Sequence, residues 1–192
     1  MHKIALFASG SGTNVENIAR YFKGHPSIEV SLILSNKKDA FVLERAKKLN
    51  MPSMVFNKHK FNETTEIVDR LIAEKIELVV LAGFLWLIPE SLISAFPNRI
   101  INIHPALLPK YGGKGMYGGK VHEAVVANHE KESGITIHFV NREYDKGNIL
   151  FQAKIAVLPT DSPDDVAHKV HELEYEYFPK EIERLLLKGK KQ

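Results

Sequence analysis

The chain has 192 residues, of which 44% are hydrophobic and 26% are charged, amounts that suit one globular domain with a full core. It contains no cysteine, which excludes disulfides, thiolate metal ligands and cysteine nucleophiles. The formal net charge of +3 is small, and the one dense basic cluster, Lys188, Lys190 and Lys191, is typical of a solvated tail rather than of a nucleic-acid site. With no signal-peptide pattern and no apolar run of about 18 residues, a soluble cytoplasmic protein is expected.

The first half of the chain alternates strand-like and helix-like segments. The predicted strands are 3–8, 28–35, 53–56, 77–82 and 99–104. Predicted helices begin at Asn14, cover 40–49 and 62–75, and include a short helix at Pro89. This alternation indicates βαβ units and a mainly parallel sheet.

The second half has a different pattern. Residues 111–119 contain five glycines and are predicted to form a loop, followed by a helix over 120–131. Two strands, 134–140 and 148–157, are joined by a short polar turn and suggest an antiparallel pair, and a long helix begins near Ser162. The predicted fold is therefore a single α/β domain with a Rossmann-like, mainly parallel sheet, flanking helices and an antiparallel C-terminal strand pair.

A small-residue loop, 9–14, joins the first predicted strand to the first predicted helix. At this place in a parallel sheet, glycines and free N–H groups at a helix start favour phosphate. A dinucleotide is disfavoured because Val15 replaces the third glycine of its fingerprint and no acid ends the second strand, and the Walker pattern is also missing. A small phosphorylated metabolite remains as the expected ligand, although a tight turn needed only for packing explains the same residues.

Asn102 and His104 lie at the end of a predicted strand. Alternate strand residues face the same side, so these two side chains point the same way, about 7 Å apart. An amide can donate to an oxyanion and a histidine can exchange a proton near neutral pH, which suits the transfer of an acyl group to an amine. A hydrogen-bonded strand end would explain the same pair.

Asp145 lies in the predicted turn between the last two strands, and by itself this is an ordinary turn sequence. If Asp145 contacted His104, its carboxylate would raise the histidine pKa and keep a general acid charged at neutral pH. The sequence separation of about forty residues neither supports nor excludes that contact.

Taken together, the motifs resemble the folate-dependent formyltransferases, and within them the phosphoribosylglycinamide formyltransferase family. The resemblance covers nearly the whole chain. The segments that carry it are 9–14, 35–37, 81–84, 102–109, 134–140 and 145–147. It implies direct transfer of formyl from the co-substrate 10-formyltetrahydrofolate to the amine of glycinamide ribonucleotide in purine synthesis, without a metal ion, nucleic acid or membrane.

The resemblance also implies roles for particular residues. Asn102 would stabilise the tetrahedral oxyanion, His104 would donate a proton, and Asp145 would raise the pKa of His104 and help to relay protons. The residues implied to bind the ribonucleotide are Gly12, Thr13, Asn14 and Glu174. The residues implied to bind the folate are Leu85, Trp86, Leu87, Ile88 and Asn102. By residue type alone, Glu174 would be a solvated helix residue and the apolar segment would be core, and His138 matches a family histidine with a supporting role.

The resemblance implies one formyltransferase domain over 1–192, with a phosphate and ribonucleotide half, 1–104, and a folate-side half with the C-terminal helix, 105–192. Two departures from the family pattern stand out. Many members have an arginine near the folate tail where this chain has Thr64, for which Lys58 or Lys60 could substitute. The 111–119 loop is also longer than in familiar bacterial members, and we expect it to move as a lid over the ligands.

Three other functions fit parts of the pattern. A formyltransferase acting on initiator methionyl-tRNA is expected to have a further C-terminal domain, and a formyltetrahydrofolate hydrolase an additional N-terminal one. A non-catalytic module would bind a phosphorylated ligand without turnover. The oligomeric state is not predicted by the sequence.

Overall fold

The computed structural model describes residues 1–188, which form one seven-stranded sheet in the order β3-β2-β1-β4-β5-β6-β7. The strands are β1 (His2–Phe7), β2 (Ile28–Ser35), β3 (Ser53–Val55), β4 (Ile76–Leu81), β5 (Ile100–His104), β6 (Glu132–Phe139) and β7 (Ile149–Ala156). The helices are α1 (Thr13–Tyr21), α2 (Phe41–Lys48), α3 (Lys58–Asn62), α4 (Glu66–Ala73), α5 (Glu90–Ala95), α6 (Gly119–Ala127) and α7 (Pro163–Lys188).

The first five strands run parallel to one another, whereas β6 is antiparallel to both β5 and β7. The Rossmann-like mainly parallel sheet and the antiparallel C-terminal pair are therefore confirmed. The chain moves outward from β1 to β3 and then crosses to β4 on the other side of β1. Loops leaving β1 and β4 diverge at this reversal, and parallel α/β sheets commonly bind ligands at such a point.

The two faces of the sheet carry separate hydrophobic cores because strand side chains alternate. In β1, Ile4 and Leu6 pack into one core with residues of α1, α2, α6 and α7, while Ala5 and Phe7 pack into the other with residues of α3, α4 and α5. All four of these β1 side chains are fully buried. Burial on both faces makes the central strand a continuous apolar run, and it holds the ends of β1, β4 and β5 in fixed positions.

One predicted helix, 62–75, differs from the structure, which has two short helices, α3 and α4, in this region. The Asn57 side chain accepts a hydrogen bond from Lys60 N at 2.9 Å and so begins a helix earlier than predicted. Thr64 ends that helix by donating its hydroxyl to Lys60 O, and the Thr64 hydroxyl oxygen accepts from Glu66 N at the start of α4. Local side-chain to backbone bonds thus compete with a continuous helix.

The long C-terminal helix begins as predicted. Ser162 Oγ accepts from Asp165 N, and Asp165 Oδ2 accepts from Ser162 N at 2.8 Å, a reciprocal cap that satisfies N–H groups at the helix start. Within residues 1–188, no helix has the length and apolar character needed to cross a membrane. Lys190 and Lys191 of the predicted basic tail lie outside the described residues.

Candidate active site

A cleft of about 590 Å³ opens at the carboxyl ends of β1, β4 and β5. Its walls bring together the 10–14 loop, the 81–88 segment, the end of β5, the 113–119 loop and parts of α6 and α7. The residues predicted from the resemblance to be catalytic, to bind the ribonucleotide or to form the folate pocket all line this one cleft, whereas Lys58 and Lys60, named as substitutes near the folate tail, do not. Parallel strands end on the same edge of a sheet, and that shared edge explains why residues far apart in sequence meet here.

The glycine loop forms the floor of one end of the cleft. Gly12 lies in the left-handed region (φ 73°, ψ 26°) immediately before α1, a conformation that glycine adopts without steric cost. No side chain within residues 1–188 caps the start of α1, so the N–H groups of its first turn are available to a ligand. This geometry favours an anion at the helix start.

The position of Gly12 leads to a stability prediction. A Cβ at Gly12 would lie within 2.9 Å of Val42 Cα, and closer still to the Val42 side chain, which has no room to move because Val42 is fully buried. We expect Gly12→Ala to lower the free energy of unfolding by about 1–3 kcal/mol, as measured by urea denaturation. The matched control is Gly10→Ala, because a Cβ at Gly10 meets no atom within 4 Å, and we expect a change below about 1 kcal/mol. Equal stability of both variants would contradict this packing argument.

The other end of the cleft has an apolar wall formed by the segment after β4. Leu85, Trp86, Leu87 and Ile88 all line the cleft. Ile88 is buried, whereas Leu85 and Leu87 are 38% and 41% exposed. Ser9 ties this wall to the glycine loop, because its N–H donates to Gly83 O and its hydroxyl accepts from Leu85 N, both at 3.0 Å. The wall can therefore hold a flat apolar ligand at a set distance from the phosphate-type loop.

Asp145 does lie beside His104. The carboxylate Oδ2 is 3.6 Å from His104 Nδ1, and both side chains are nearly buried, at 5% and 11% exposure. Asp145 has a φ of 54°, an uncommon conformation for a residue with a side chain, which the turn between β6 and β7 imposes. Folding thus brings what is locally an ordinary turn residue beside His104.

His104 is held at its other ring nitrogen by the glycine-rich loop. Its Nε2 is 2.7 Å from the carbonyl oxygen of Tyr111, so this nitrogen carries a proton and donates it to that oxygen. Gly113 of the same loop donates its N–H to Asp145 Oδ2 at 2.9 Å. In this conformation the 111–119 loop therefore contacts both members of the pair.

The pKa of His104 does not follow the expectation from its carboxylate neighbour alone. Burial lowers the pKa of the His104 imidazole below its ordinary value, although Asp145 and the Tyr111 carbonyl both favour the charged ring. Asp145 therefore acts in the predicted direction, but desolvation is the larger effect. In this conformation burial therefore favours the neutral ring, opposite to the charge expected from the carboxylate alone.

Asp145 itself is held as a carboxylate. Burial by itself would raise its pKa, but the neighbouring rings of His138 and His104 and the N–H of Gly113 together lower that pKa below the ordinary value. The negative charge is thus present at neutral pH beside the ring of His104. A carboxylate at this position stabilises an imidazolium whenever the ring takes up a proton.

Asn102 is oriented by His138. The Asn102 amide nitrogen is 3.1 Å from His138 Nε2, and His138 Nδ1 is 2.9 Å from Phe139 O. The carbonyl requires a proton on Nδ1, so in the neutral ring Nε2 accepts from the amide, whereas a protonated ring directs its Nε2–H toward Asp145 Oδ1, 3.5 Å away. The second N–H of Asn102 faces Asp145 Oδ1 at 3.5 Å, too long for a strong hydrogen bond. That N–H is the one available to a ligand.

Glu174 is buried, unlike the solvated glutamate that its residue type suggests. Its Oε2 accepts from Asn14 Nδ2 and from His171 Nδ1, both at 2.8 Å. His171 and the buried His122 also line the cleft, and neither is among the site residues predicted from the sequence. The spacing of His171 and Glu174 by three positions, which places both on one face of a helix, was the available signal.

The structure does not support a lysine as a substitute for the family arginine near Thr64. Lys60 Nζ forms an ion pair with Glu66 at 2.7 Å, and Thr64 makes a hydrogen bond to the backbone. Thr64, Lys58 and Lys60 all lie outside the cleft lining. Within residues 1–188, Lys114 of the glycine-rich loop is the only lysine or arginine that lines the cleft.

Comparison with known proteins gives a consistent result. Residues 2–182 match the family described as formyl transferase. The chain is 44% identical over 182 residues to the chloroplastic phosphoribosylglycinamide formyltransferase of Arabidopsis thaliana, covering 92% of this chain and 62% of that protein. It is 35% identical to the phosphoribosylglycinamide formyltransferase of Bacillus subtilis, covering 97% of this chain and 95% of that protein.

A solved structure is similarly close. The phosphoribosylglycinamide formyltransferase of Streptococcus pneumoniae superposes with a TM-score of 0.85 at 35% sequence identity, covering 97% of this chain and 99% of that chain. The chain spans less than two thirds of the two plant relatives, 62% and 60% of their lengths. The family match extends over nearly all of the sheet and its helices, and the chain therefore belongs to the formyl transferase family.

Proposed function

We propose that this protein transfers the formyl group of 10-formyltetrahydrofolate to the amine of glycinamide ribonucleotide, a step of purine synthesis. The observation that carries the proposal is the convergence, in one cleft, of a phosphate-type loop, an apolar wall and the group Asn102, His104 and Asp145. The family match and the names of the relatives support the same reaction.

The acceptor occupies the end of the cleft near α1 in this proposal. The backbone N–H groups at Gly12, Thr13 and Asn14 bind the phosphate, because the start of α1 attracts an anion. Glu174 accepts hydrogen bonds from the sugar hydroxyls across the cleft. These contacts set the distance from the phosphate to the amine, and so place the amine near Asn102 and His104.

The donor occupies the other end. Leu85, Trp86, Leu87 and Ile88 present an apolar surface that suits the flat ring system of a folate. Trp86 is supported from behind by Phe56, Phe61 and Phe84, with ring centroids 5.9 to 6.3 Å away. The wall is therefore rigid, and it directs the formyl group toward β5.

Asn102 stabilises the charge that develops in the reaction. The acceptor amine attacks the formyl carbon, and the carbonyl oxygen becomes an oxyanion. The hydrogen bond to His138 fixes the orientation of the Asn102 amide, and the N–H that is held only weakly by Asp145 donates to the oxyanion. A donor fixed before the reaction needs little reorganisation when the charge forms.

His104 moves the proton. The nitrogen that attacks must lose a proton, and N10 of the folate must gain one as its bond to the formyl carbon breaks. His104, neutral and buried in the free protein, can accept the first proton and return it to N10 while Asp145 stabilises the intermediate imidazolium. Nε2 carries the ring proton in the free protein, so it can accept a proton only after the Tyr111 carbonyl moves away and the ring proton shifts to Nδ1, beside Asp145. The 111–119 loop therefore rearranges as ligands bind.

The remaining features of the proposal come from the sequence and the resemblance. The apolar wall proposed for the folate, Leu85 to Ile88, lies in the half 1–104 with the phosphate loop, and Glu174 of the ribonucleotide end lies in 105–192, so in this proposal the two predicted halves do not coincide with the two ends of the cleft. The ligands are small molecules, and the location is the cytoplasm. Fractionation of cells that express the tagged protein would test the location.

The reaction is tested by mixing the protein with 10-formyltetrahydrofolate and glycinamide ribonucleotide and following the deformylated folate by absorbance. We expect turnover that requires the ribonucleotide and yields one formylated ribonucleotide for each folate consumed, as measured by mass spectrometry. Formyl release at the same rate without the ribonucleotide would instead indicate a hydrolase. Transfer to methionyl-tRNA would indicate the tRNA enzyme, and ligand binding without any turnover a non-catalytic module.

A further inference from the structure

The acceptor end of the cleft contains a cluster of polar side chains from three helices. Asn14 comes from α1, His122 from α6, and His171 and Glu174 from α7. All four line the cleft, and the rings of His122 and His171 have centroids 6.4 Å apart. Such a cluster needs partners for its polar atoms because burial without a hydrogen bond is costly.

The hydrogen bonds within the cluster are unevenly distributed over Glu174. Both of its bonds, from Asn14 Nδ2 and His171 Nδ1, go to Oε2. The other oxygen, Oε1, receives no hydrogen bond within residues 1–188. Two further atoms nearby, Asn14 Oδ1 and His122 Nδ1, are buried and unpartnered in the described part of the chain. The cluster is therefore held together by its own hydrogen bonds to Oε2, and Glu174 Oε1 keeps its capacity to accept a hydrogen bond.

His171 and the Glu174 carboxylate stabilise each other through their hydrogen bond. Its hydrogen bond to that carboxylate raises the pKa of the His171 imidazole above its ordinary value, even though burial acts the other way. The ring also lies nearly parallel to that of Tyr175, at an interplanar angle of 14°. The ring is thus held on one side by an aromatic face and on the other by a charged hydrogen bond.

We propose that His171 is a positioning residue for the acceptor, holding the Glu174 carboxylate so that Oε1 faces the hydroxyl groups of the bound ribonucleotide. This inference rests on the proposed function and adds to it a residue that acts through Glu174. Asn14, on α1, donates to Oε2, the same oxygen to which His171 donates. Oε2 is therefore fixed by two donors, and Oε1 is left for the ligand. The donor end of the cleft is not involved.

The test compares two substitutions at position 171. His171→Leu removes the donor, whereas His171→Asn keeps an N–H close to the position of Nδ1. Because a hydrogen bond to a charged group is lost, we expect His171→Leu to raise the Kd of glycinamide ribonucleotide about 10- to 100-fold. His171→Asn should restore most of that affinity. The Kd is measured by calorimetry without folate, so binding is read apart from turnover.

Two controls separate positioning from a general structural effect. His168→Leu alters an exposed histidine one turn earlier on α7, outside the cleft, and should leave the ribonucleotide Kd unchanged. In turnover assays His171→Leu should raise the KM for the ribonucleotide while the KM for 10-formyltetrahydrofolate stays within about twofold of its original value. A protein with disturbed folding would change both constants.

A double-mutant cycle with Glu174→Gln decides whether His171 acts through Glu174. If His171 acts through Glu174, His171→Leu should raise the ribonucleotide Kd much less in the Glu174→Gln protein than in the original protein. Additive losses would overturn the inference, as would an unchanged Kd in His171→Leu or an Asn variant as weak as the Leu variant. Failure of the original protein to bind or formylate the ribonucleotide would instead overturn the proposed function.

Discussion

Replacing His104 with alanine is expected to lower kcat for formyl transfer by about 10²- to 10⁴-fold, the range usual for the loss of a general acid–base group. The ring contacts Asp145 on one side and the Tyr111 carbonyl on the other. Within residues 1–188, no other histidine lies between Asp145 and that loop in this way. Proton transfer between the acceptor amine and N10 would then depend on solvent.

Binding should be affected much less than turnover. The ribonucleotide end of the cleft depends on Asn14 and Glu174, which His104 does not contact through any hydrogen bond. We therefore expect a ribonucleotide Kd within about threefold of the original value, since uniform binding contacts are retained. Calorimetry gives the Kd, and steady-state kinetics with both substrates gives kcat.

Two experiments show that the loss comes from the imidazole. The control His59→Ala removes an exposed histidine, 65% exposed, on α3 outside the cleft, and should keep full activity. Free imidazole should partly restore the His104→Ala variant, because the substitution leaves a space the size of the missing ring. Full activity of His104→Ala would rule out the proposed proton transfer.

Replacing Asp145 with asparagine is the second substitution with a large expected effect. Asparagine has the same shape and tolerates the φ of 54° at this position. Its side-chain oxygen can still accept the N–H of Gly113, which now donates to Asp145 Oδ2 at 2.9 Å. The substitution therefore removes the charge and leaves the turn and the loop contact in place. We expect kcat to fall by about 10²- to 10⁴-fold, because the imidazolium loses its stabilising carboxylate.

The charge also has a measurable effect on His104. Asp145 raises the pKa of His104, while burial lowers it by more. Removing the carboxylate leaves burial without this opposing effect, so the pKa of His104 should fall further in Asp145→Asn. The limb of the pH–kcat profile that reports His104 should then move to lower pH, and NMR titration of the His104 ring should show the same direction.

Asp145→Ala provides the matched comparison. It removes the charge and also the acceptor for the Gly113 N–H, so it tests the loop contact separately. We expect the alanine variant to lose as much kcat as the asparagine variant and to show faster amide exchange at Gly113, since that N–H loses its partner. An Asp145→Asn variant with the original activity and pH profile would show that the carboxylate has no part in the reaction.

The sequence alone determined the fold class and the parts of the site that are continuous along the chain. Alternating apolar runs and helix-like segments predicted the mainly parallel sheet, and the change of pattern after 119 predicted the antiparallel pair. The 9–14 loop and the pair Asn102 and His104 were also predicted, because each lies at the end of one predicted strand. Strand periodicity further predicted that the Asn102 and His104 side chains face the same side.

Only the tertiary structure decided the contacts between distant segments. Asp145 reads as a turn residue until β6 pairs with β5 and brings the turn to His104. The pKa of His104 likewise depends on burial, a property of the whole fold that exceeds the effect of one neighbouring charge. Glu174, which His171 also contacts, meets Asn14 because α7 packs against α1. Hydrophobic patterning specifies which face of an element is buried, but it does not specify which distant element covers that face.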